Sequence, residues 1–190
     1  MQPLPDAIGN VIVFGPDFTG QRLVTHWLKR LGWHLAIKRI GDTCCDQSIG
    51  ALNKTLWHYT VGDDMDPTLP EWMDEQIRKA LAWYDENQPW VMRDYQFIYT
   101  LHYWAQYLAD KATAVWVDKP FWETLQSIRD RDGYLGTDGV EQLRTDYDIC
   151  TQQFDRWPGR KWKCDIRRFA AVAGQWGTQP APGAENRAAV

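Results

Sequence analysis

Residues 10–32 read NVIVFGPDFTGQRLVTHWLKRLG, and this stretch decides the fold. Val11 to Phe14 form a short apolar run closed by Asn10 and Gly15, a length and bounding that fit a buried strand rather than a helix. From Gly20 onward the apolar positions Leu23, Val24, Trp27, Leu28 and Leu31 recur at helical spacing. Gly32 stands where a helix ends on a glycine. The segment therefore predicts a strand, a glycine-bounded loop and a helix, in that order.

Working outward, the same alternation continues. His34 to Ile40 predicts a second strand, Gly41 to Ser48 is irregular, and Ile49, Leu52, Leu56 and Trp57 predict a helix. The stretch GDDMDPTLP, residues 62–70, is broken by Gly62, Pro67 and Pro70 and reads as a solvated loop; its acidic run lacks the twelve-residue calcium pattern. Trp72, Ile77, Ala80, Leu81 and Tyr84 share a helical stripe that stops before Gln88-Pro89. Trp90 to Met92 reads as a strand, and Phe97, Leu101, Trp104, Ala105 and Leu108 as a helix. A strand from Ala112 to Val117 ends in Asp118. A helix over Phe121 to Arg131, a loop through Gly133, Gly136 and Gly139, a helix over Val140 to Phe154 and a strand near Lys161 to Cys164 complete the series. Strands alternating with helices predict an α/β fold, a three-layer sandwich with a central parallel sheet. One domain is expected over residues 1–176, followed by a flexible tail over 177–190 without apolar periodicity.

Composition bounds the function. Lys and Arg number 21 against 25 Asp and Glu, a net charge of −4 that gives no basic footprint for nucleic acid. No apolar run approaches the roughly 20 residues of a membrane-spanning helix. The opening MQPLPDAIGN carries no basic n-region, so a cytoplasmic location is expected. Cys44, Cys45, Cys150 and Cys164 contain no C-x-x-C pair, and His26, His34, His58 and His102 are scattered, so no metal is expected. The 12 Trp residues either fill a core or line an interface.

The loop after the first strand carries the chemistry. Gly15 and Gly20 have the separation of the glycines in G-x-x-x-x-G-K-S/T, whose backbone N–H groups and Lys cradle phosphates while the hydroxyl holds magnesium. Here Gln21 stands in the place of the Lys and Arg22 in that of the hydroxyl residue. Such a loop suits an anion handled without magnesium. A nucleotide kinase or hydrolase using Asp118 to hold the metal is correspondingly disfavoured.

Several segments, in order from about Val11 to Asp165, resemble the sulfotransferase family that uses 3′-phosphoadenosine 5′-phosphosulfate. Gly15, Thr19 and Gly20 resemble its first loop, with Phe18 replacing a basic residue. Asp46, Leu52, Asn53 and Leu56 resemble an acidic residue followed by L-N-x-x-L. Trp90, Arg93, Asp94, Thr100, Leu101 and Trp104 resemble W-x-x-K-D-P-R-x-x-x-T-L-x-x-W, with Tyr95 and Gln96 breaking the Pro-Arg. The stretch AVWVDKPFWETLQSIRDRDG, residues 114–133, resembles the strand V-V-x-V-R-D-P and the helix that presents a Ser to the 3′-phosphate. Matching the prolines puts Asp118 and Gln126 on the Arg and Ser. Matching the helix without a gap puts Lys119 and Ser127 there, and this is preferred because it keeps a cation and a hydroxyl eight residues apart.

The resemblance implies a P-loop NTPase-like, sulfotransferase-like fold and transfer of a sulfuryl group from 3′-phosphoadenosine 5′-phosphosulfate to a hydroxyl or amine of a small-molecule or glycan acceptor. It implies that Gly15, Thr19, Gly20, Gln21, Arg22, Lys119 and Ser127 bind the cofactor. Arg22 and Arg93 are the expected catalytic cations, with Asp46 or Tyr95 as the base. The alternative is a degenerate member acting as a binding or assembly component, through self-association or a protein partner. An exposed cluster of Trp116, Trp122 and Trp162 would favour it.

Overall fold

The computed structural model describes residues 9–35, 47–60, 69–133 and 135–176. Among them five strands form one sheet: β1 Asn10–Phe14, β2 His34–Leu35, β3 Trp90–Arg93, β4 Ala112–Asp118 and β5 Lys161–Asp165. Their order is β2-β3-β1-β4-β5, and every neighbouring pair is parallel. The helices are α1 Gln21–Arg30, α2 Gln47–Thr60, α3 Glu71–Glu86, α4 Phe97–Leu108, α5 Phe121–Asp132, α6 Thr137–Arg156 and α7 Ile166–Trp176. No helix among the described residues is long and apolar enough to cross a membrane.

The period of two along β1 divides the core. Ile12 and Phe14 join Trp90, Met92, Ala114 and Trp116 on one face, beneath α2, α3, α4 and α6. Val11 and Val13 join Val91, Val115, Val117 and Cys164 on the other, beneath α1 and α7. A strand covered on both faces must be apolar throughout, and every residue of β1 is buried. Its one polar residue is satisfied: Asn10 Nδ2 donates to the Lys111 carbonyl at 3.2 Å, and its Oδ1 accepts from Trp90 N at 3.2 Å. Asn10 thereby ties β1 to the starts of both neighbouring strands.

The end of α1 follows from its sequence. Gly32 has φ 103°, Gly32 N donates to the Lys29 carbonyl at 3.0 Å, and Trp33 N donates to the Leu28 carbonyl at 3.1 Å. These two bonds cap orphan carbonyls, and glycine takes the left-handed geometry without a Cβ penalty.

One expectation is corrected, at Gly139, and three further features lie beyond what periodicity supplied. Gly139 lies inside α6 rather than in a loop, and its absent Cβ leaves room for Leu135, which a Cβ would meet at 2.6 Å. Helix α7 arises where no helix was expected. Leu23, Trp57 and Trp72 have helical spacing, yet they lie 43%, 37% and 48% exposed, because neighbouring elements cover a different arc of each helix. Trp116 is buried and Trp162 partly so, leaving Trp122 exposed without them. Of the second predicted strand, His34 and Leu35 are extended, and residues 36–40 lie outside the described residues.

Candidate functional site

Strand β1 lies between β3 and β4, so the loops leaving the carboxyl ends of these three strands share one edge. The chain leaves β1 towards β2 and leaves β4 towards β5, in opposite directions across the sheet. In open α/β sheets such a divergence opens the crevice where ligands bind.

The loop from Gly15 to Gly20 leaves β1 at this edge. Thr19 Oγ1 donates to the Pro16 carbonyl at 2.8 Å, and Phe18 takes a left-handed φ of 65°. Gly20 has φ 98°, and a Cβ there would meet Ile166 Cγ1 at 2.6 Å, so glycine is required on both counts. Leu23 N and Val24 N donate to the Gly20 carbonyl. The N–H groups of Asp17, Phe18, Gly20, Gln21 and Arg22 have no protein partner among the described residues, as expected at a helix start without a side-chain cap. The side chain of Gln21 is buried and folds inward: Nε2 donates to the carbonyls of Gly15 and Pro16, the latter at 3.1 Å. Its Oε1 is buried without a partner. Arg22 is exposed, and its Nε donates to His26 Nε2 at 3.4 Å, one turn further along α1.

On the neighbouring strand, Lys119 follows β4 directly. Its Nζ donates to Ser127 Oγ at 2.5 Å and reaches the Phe18 carbonyl at 3.5 Å. Ser127 Oγ in turn donates to the Glu123 carbonyl at 2.9 Å. Tyr147 holds this corner from α6: its hydroxyl donates to the Lys119 carbonyl at 2.5 Å and lies 2.7 Å from Thr124 Oγ1. Burial pushes the Tyr147 phenol up to about 12, so it stays protonated as a donor.

On the β3 side, Arg93 ends the strand opposite Val13. Asp94 follows, buried, with its carboxylate accepting from Gln96 N at 2.8 Å. Loss of water pushes its carboxyl up to about 6, against the opposing pull of the Gln96 N–H, Asn53 and Arg93. The Asn53 side chain lies beside this carboxylate and helps to draw its carboxyl down. Asn53 Oδ1 accepts from Thr100 Oγ1 and Trp104 Nε1, both at 2.8 Å. Three residues quoted for the resemblance, from two separate segments, thus form one buried hydrogen-bonded cluster.

Asp17, in the loop itself, is a residue the sequence reading passed over. Desolvation raises its carboxyl, Arg93 and Arg131 draw it down, and Asp146 raises it. Arg131 was also passed over; its guanidinium lies over the Phe18 ring at 4.1 Å. It follows Ser127 by one turn of α5, so the i, i+4 spacing could have flagged it. Asp146 accepts from the Tyr99 hydroxyl at 2.5 Å and from Gln142 Nε2 at 2.9 Å. Nothing in the sequence connects Asp146 to the loop, since α6 approaches only through tertiary packing.

Of the expected site residues, Gly15, Thr19, Gly20, Gln21, Lys119 and Ser127 come together at the β1 and β4 ends, with Arg93 beside them on β3. Arg22 starts the same helix with its side chain outside the loop. Asp46 lies outside the described residues, and Tyr95 is exposed at the β3–α4 turn. Asp118 pairs with Lys163 at 3.3 Å, and Lys163 Nζ also lies 3.9 Å over the Trp116 ring. No group of three or more His, Cys, Asp or Glu that could hold a metal ion occurs among the described residues.

No protein-family model matches the chain, and no curated protein matches it.

Proposed function

We infer that the crevice binds a 3′-phosphorylated adenine nucleotide and that the protein is a P-loop-like, sulfotransferase-like enzyme acting on a small-molecule or glycan acceptor. The carrying observation is the Lys119–Ser127 pair. A cation and a hydroxyl 2.5 Å apart, with the ammonium also within 3.5 Å of the first loop's Phe18 carbonyl, form a compact donor set at the rim where a nucleotide phosphate would lie. The unpartnered N–H groups of Asp17, Phe18, Gly20, Gln21 and Arg22 are a second donor set, suited to a second anionic group.

The donor 3′-phosphoadenosine 5′-phosphosulfate would supply an activated sulfuryl group. The chain's own residues then do the rest. Lys119 and Ser127 hold the 3′-phosphate, and Tyr147 fixes the Lys119 backbone beneath them. The loop N–H groups and Arg93 place positive charge where negative charge develops, which lowers the barrier most in a site from which water is excluded. Asp17, with a raised carboxyl at the crevice mouth, accepts the proton of the acceptor hydroxyl or amine. The buried, unpaired thiols of Cys150 and Cys164 suit a cytoplasmic location.

A second reading, a binding or assembly component of the same fold, has its own observation. Gln21 uses its amide on the loop's carbonyls and Arg22 turns outward, so the loop presents no cation of its own. Calorimetric titration with 3′-phosphoadenosine 5′-phosphate without magnesium, beside ATP, separates the two. Micromolar binding of the first ligand that weakens at least tenfold in Lys119→Ala supports the enzyme. Absence of binding to either ligand supports the assembly component.

A further inference from the structure

The Gly15–Gly20 loop carries one charge, and it is negative. Asp17 sits where an anion would approach, Gln21 is neutral and turned inward, and Arg22 pairs along the outside of α1. A loop of this kind holds an anion well only when a cation reaches it from another element.

The structure supplies such a cation at Phe18. The left-handed backbone at this residue turns its ring against α5 and α6, where it packs with Leu125, Ile128 and Leu143. The ring is therefore a fixed platform, and the Arg131 guanidinium lies 4.1 Å above it. Nε and Nη2 of Arg131 bind Asp132 at 2.8 and 2.9 Å, which leaves Nη1 without a protein partner among the described residues. The Phe18 carbonyl, on the same residue, is reached by Lys119. Two cations thus converge on one loop residue from the α5 side.

We propose that Arg131 supplies, from α5, the positive charge that the loop lacks, and takes the 5′ anionic group of a nucleotide whose 3′-phosphate rests on Lys119 and Ser127. The proposal rests on the nucleotide reading above. The Phe18 ring beneath it and the two bonds to Asp132 restrain the guanidinium, so little further order is lost when it meets an oxyanion. Arg131 also offsets the negative charge of Asp17 beside it, so removal of the guanidinium leaves Asp17 and the ligand in mutual repulsion.

The test compares 3′-phosphoadenosine 5′-phosphate with adenosine 3′-monophosphate, which lacks the 5′ group, by calorimetry without magnesium. The wild-type protein should prefer the doubly phosphorylated ligand by about tenfold or more. Arg131→Gln should erase most of that preference while leaving the affinity for the monophosphate unchanged. Arg131→Lys should retain part of it. The Arg131 side chain is 68% exposed, so the variants should fold, and an unchanged melting temperature checks this. A preference that persists in Arg131→Gln overturns the role of Arg131 and leaves the nucleotide reading standing. Absence of binding of either ligand to the wild-type protein overturns the nucleotide reading, and the proposal with it.

Discussion

Gln21 and Pro16 are joined across the first loop: Gln21 Nε2 donates to the Pro16 carbonyl at 3.1 Å while also bonding the Gly15 carbonyl. The residue standing where a phosphate loop carries its lysine therefore braces the loop from within. Gln21→Ala leaves two carbonyls without this donor in a buried setting, which should cost about 1–3 kcal/mol. In a domain of this size the melting temperature should fall by about 2–4 °C per kcal/mol. Thermal unfolding reads the change, and an unshifted transition would show that the bond only decorates the loop.

The Asn53 cluster makes a stronger demand on the core. Its Oδ1 accepts from both Thr100 and Trp104, and Asn53 and Thr100 are fully buried. Asn53→Ala strands two donors, at about 1–3 kcal/mol each. Thr100→Val removes one donor together with its polar group and should cost clearly less. Chemical denaturation of the two variants should rank them in that order; equal losses would mean that volume, rather than hydrogen bonding, governs the site.

Gly159 lies against the peptide of Ala109. A Cβ there would meet the Ala109 carbonyl oxygen at 2.0 Å and its carbon at 2.8 Å. Backbone cannot swing aside as a side chain would, so Gly159→Ala should destabilise by at least the 1–3 kcal/mol typical of overpacking. The cost should appear as a lower denaturation midpoint with an unchanged slope.

Asp94 sets a pH dependence whose sign is fixed by its burial. Its carboxyl is pushed from 3.8 up to about 6, so the folded protein binds that proton more tightly than the unfolded chain does. The stabilisation is fully present below about pH 3.8 and is lost as pH rises through about 6. A displacement of about two pH units corresponds to about 3 kcal/mol. Asp94→Asn should remove this slope, so the stability difference between the variant and the wild type should change by up to that amount between pH 3.5 and 7. Denaturant titrations at the two pH values should show the wild type losing ground as pH rises. The same difference at both would contradict the assignment. Asp17 shifts in the same direction and is present in both proteins, and its charge is one of the smaller causes of the Asp94 shift.

Periodicity made much of the fold legible. Phe97–Leu108 has the expected limits, β1 gains only Asn10, and Gly32 caps α1 as its position implies. The misses have physical causes. Gly139 read as a breaker because local propensity penalises glycine, whereas α6 is held by its packing on α4 and the sheet. Helix α7 is as long as α1, and its stripe of Ile166 and Phe169 follows directly on β5, with no turn signal to separate the two. Leu23, Trp57 and Trp72 show that spacing fixes which residues share a face but not whether another element covers it.

The candidate site was legible in pieces. Glycine spacing pointed to the loop, and the resemblance, matched without a gap along α5, pointed to Lys119 and Ser127, which meet at 2.5 Å. Strand order carried the rest. Only the adjacency of β3, β1 and β4 brings Arg93 and Asp94 to a loop some eighty residues earlier in the chain, and only the packing of α5 and α6 brings Arg131 and Asp146 there. No interval in the sequence encodes the approach of Asp94 or Asp146, whereas Arg131 stands one helical turn beyond Ser127.

Hydrogen–deuterium exchange, with and without 3′-phosphoadenosine 5′-phosphate and in the absence of magnesium, tests the central claim most directly, because it reads binding and its location together. A nucleotide bound at the β1 and β4 ends should slow exchange in two separated segments, the backbone from Asp17 to Arg22 and that from Lys119 to Ser127, with no comparable change in α3. Unchanged exchange in both segments at saturating ligand would contradict a nucleotide site at the β1 and β4 ends.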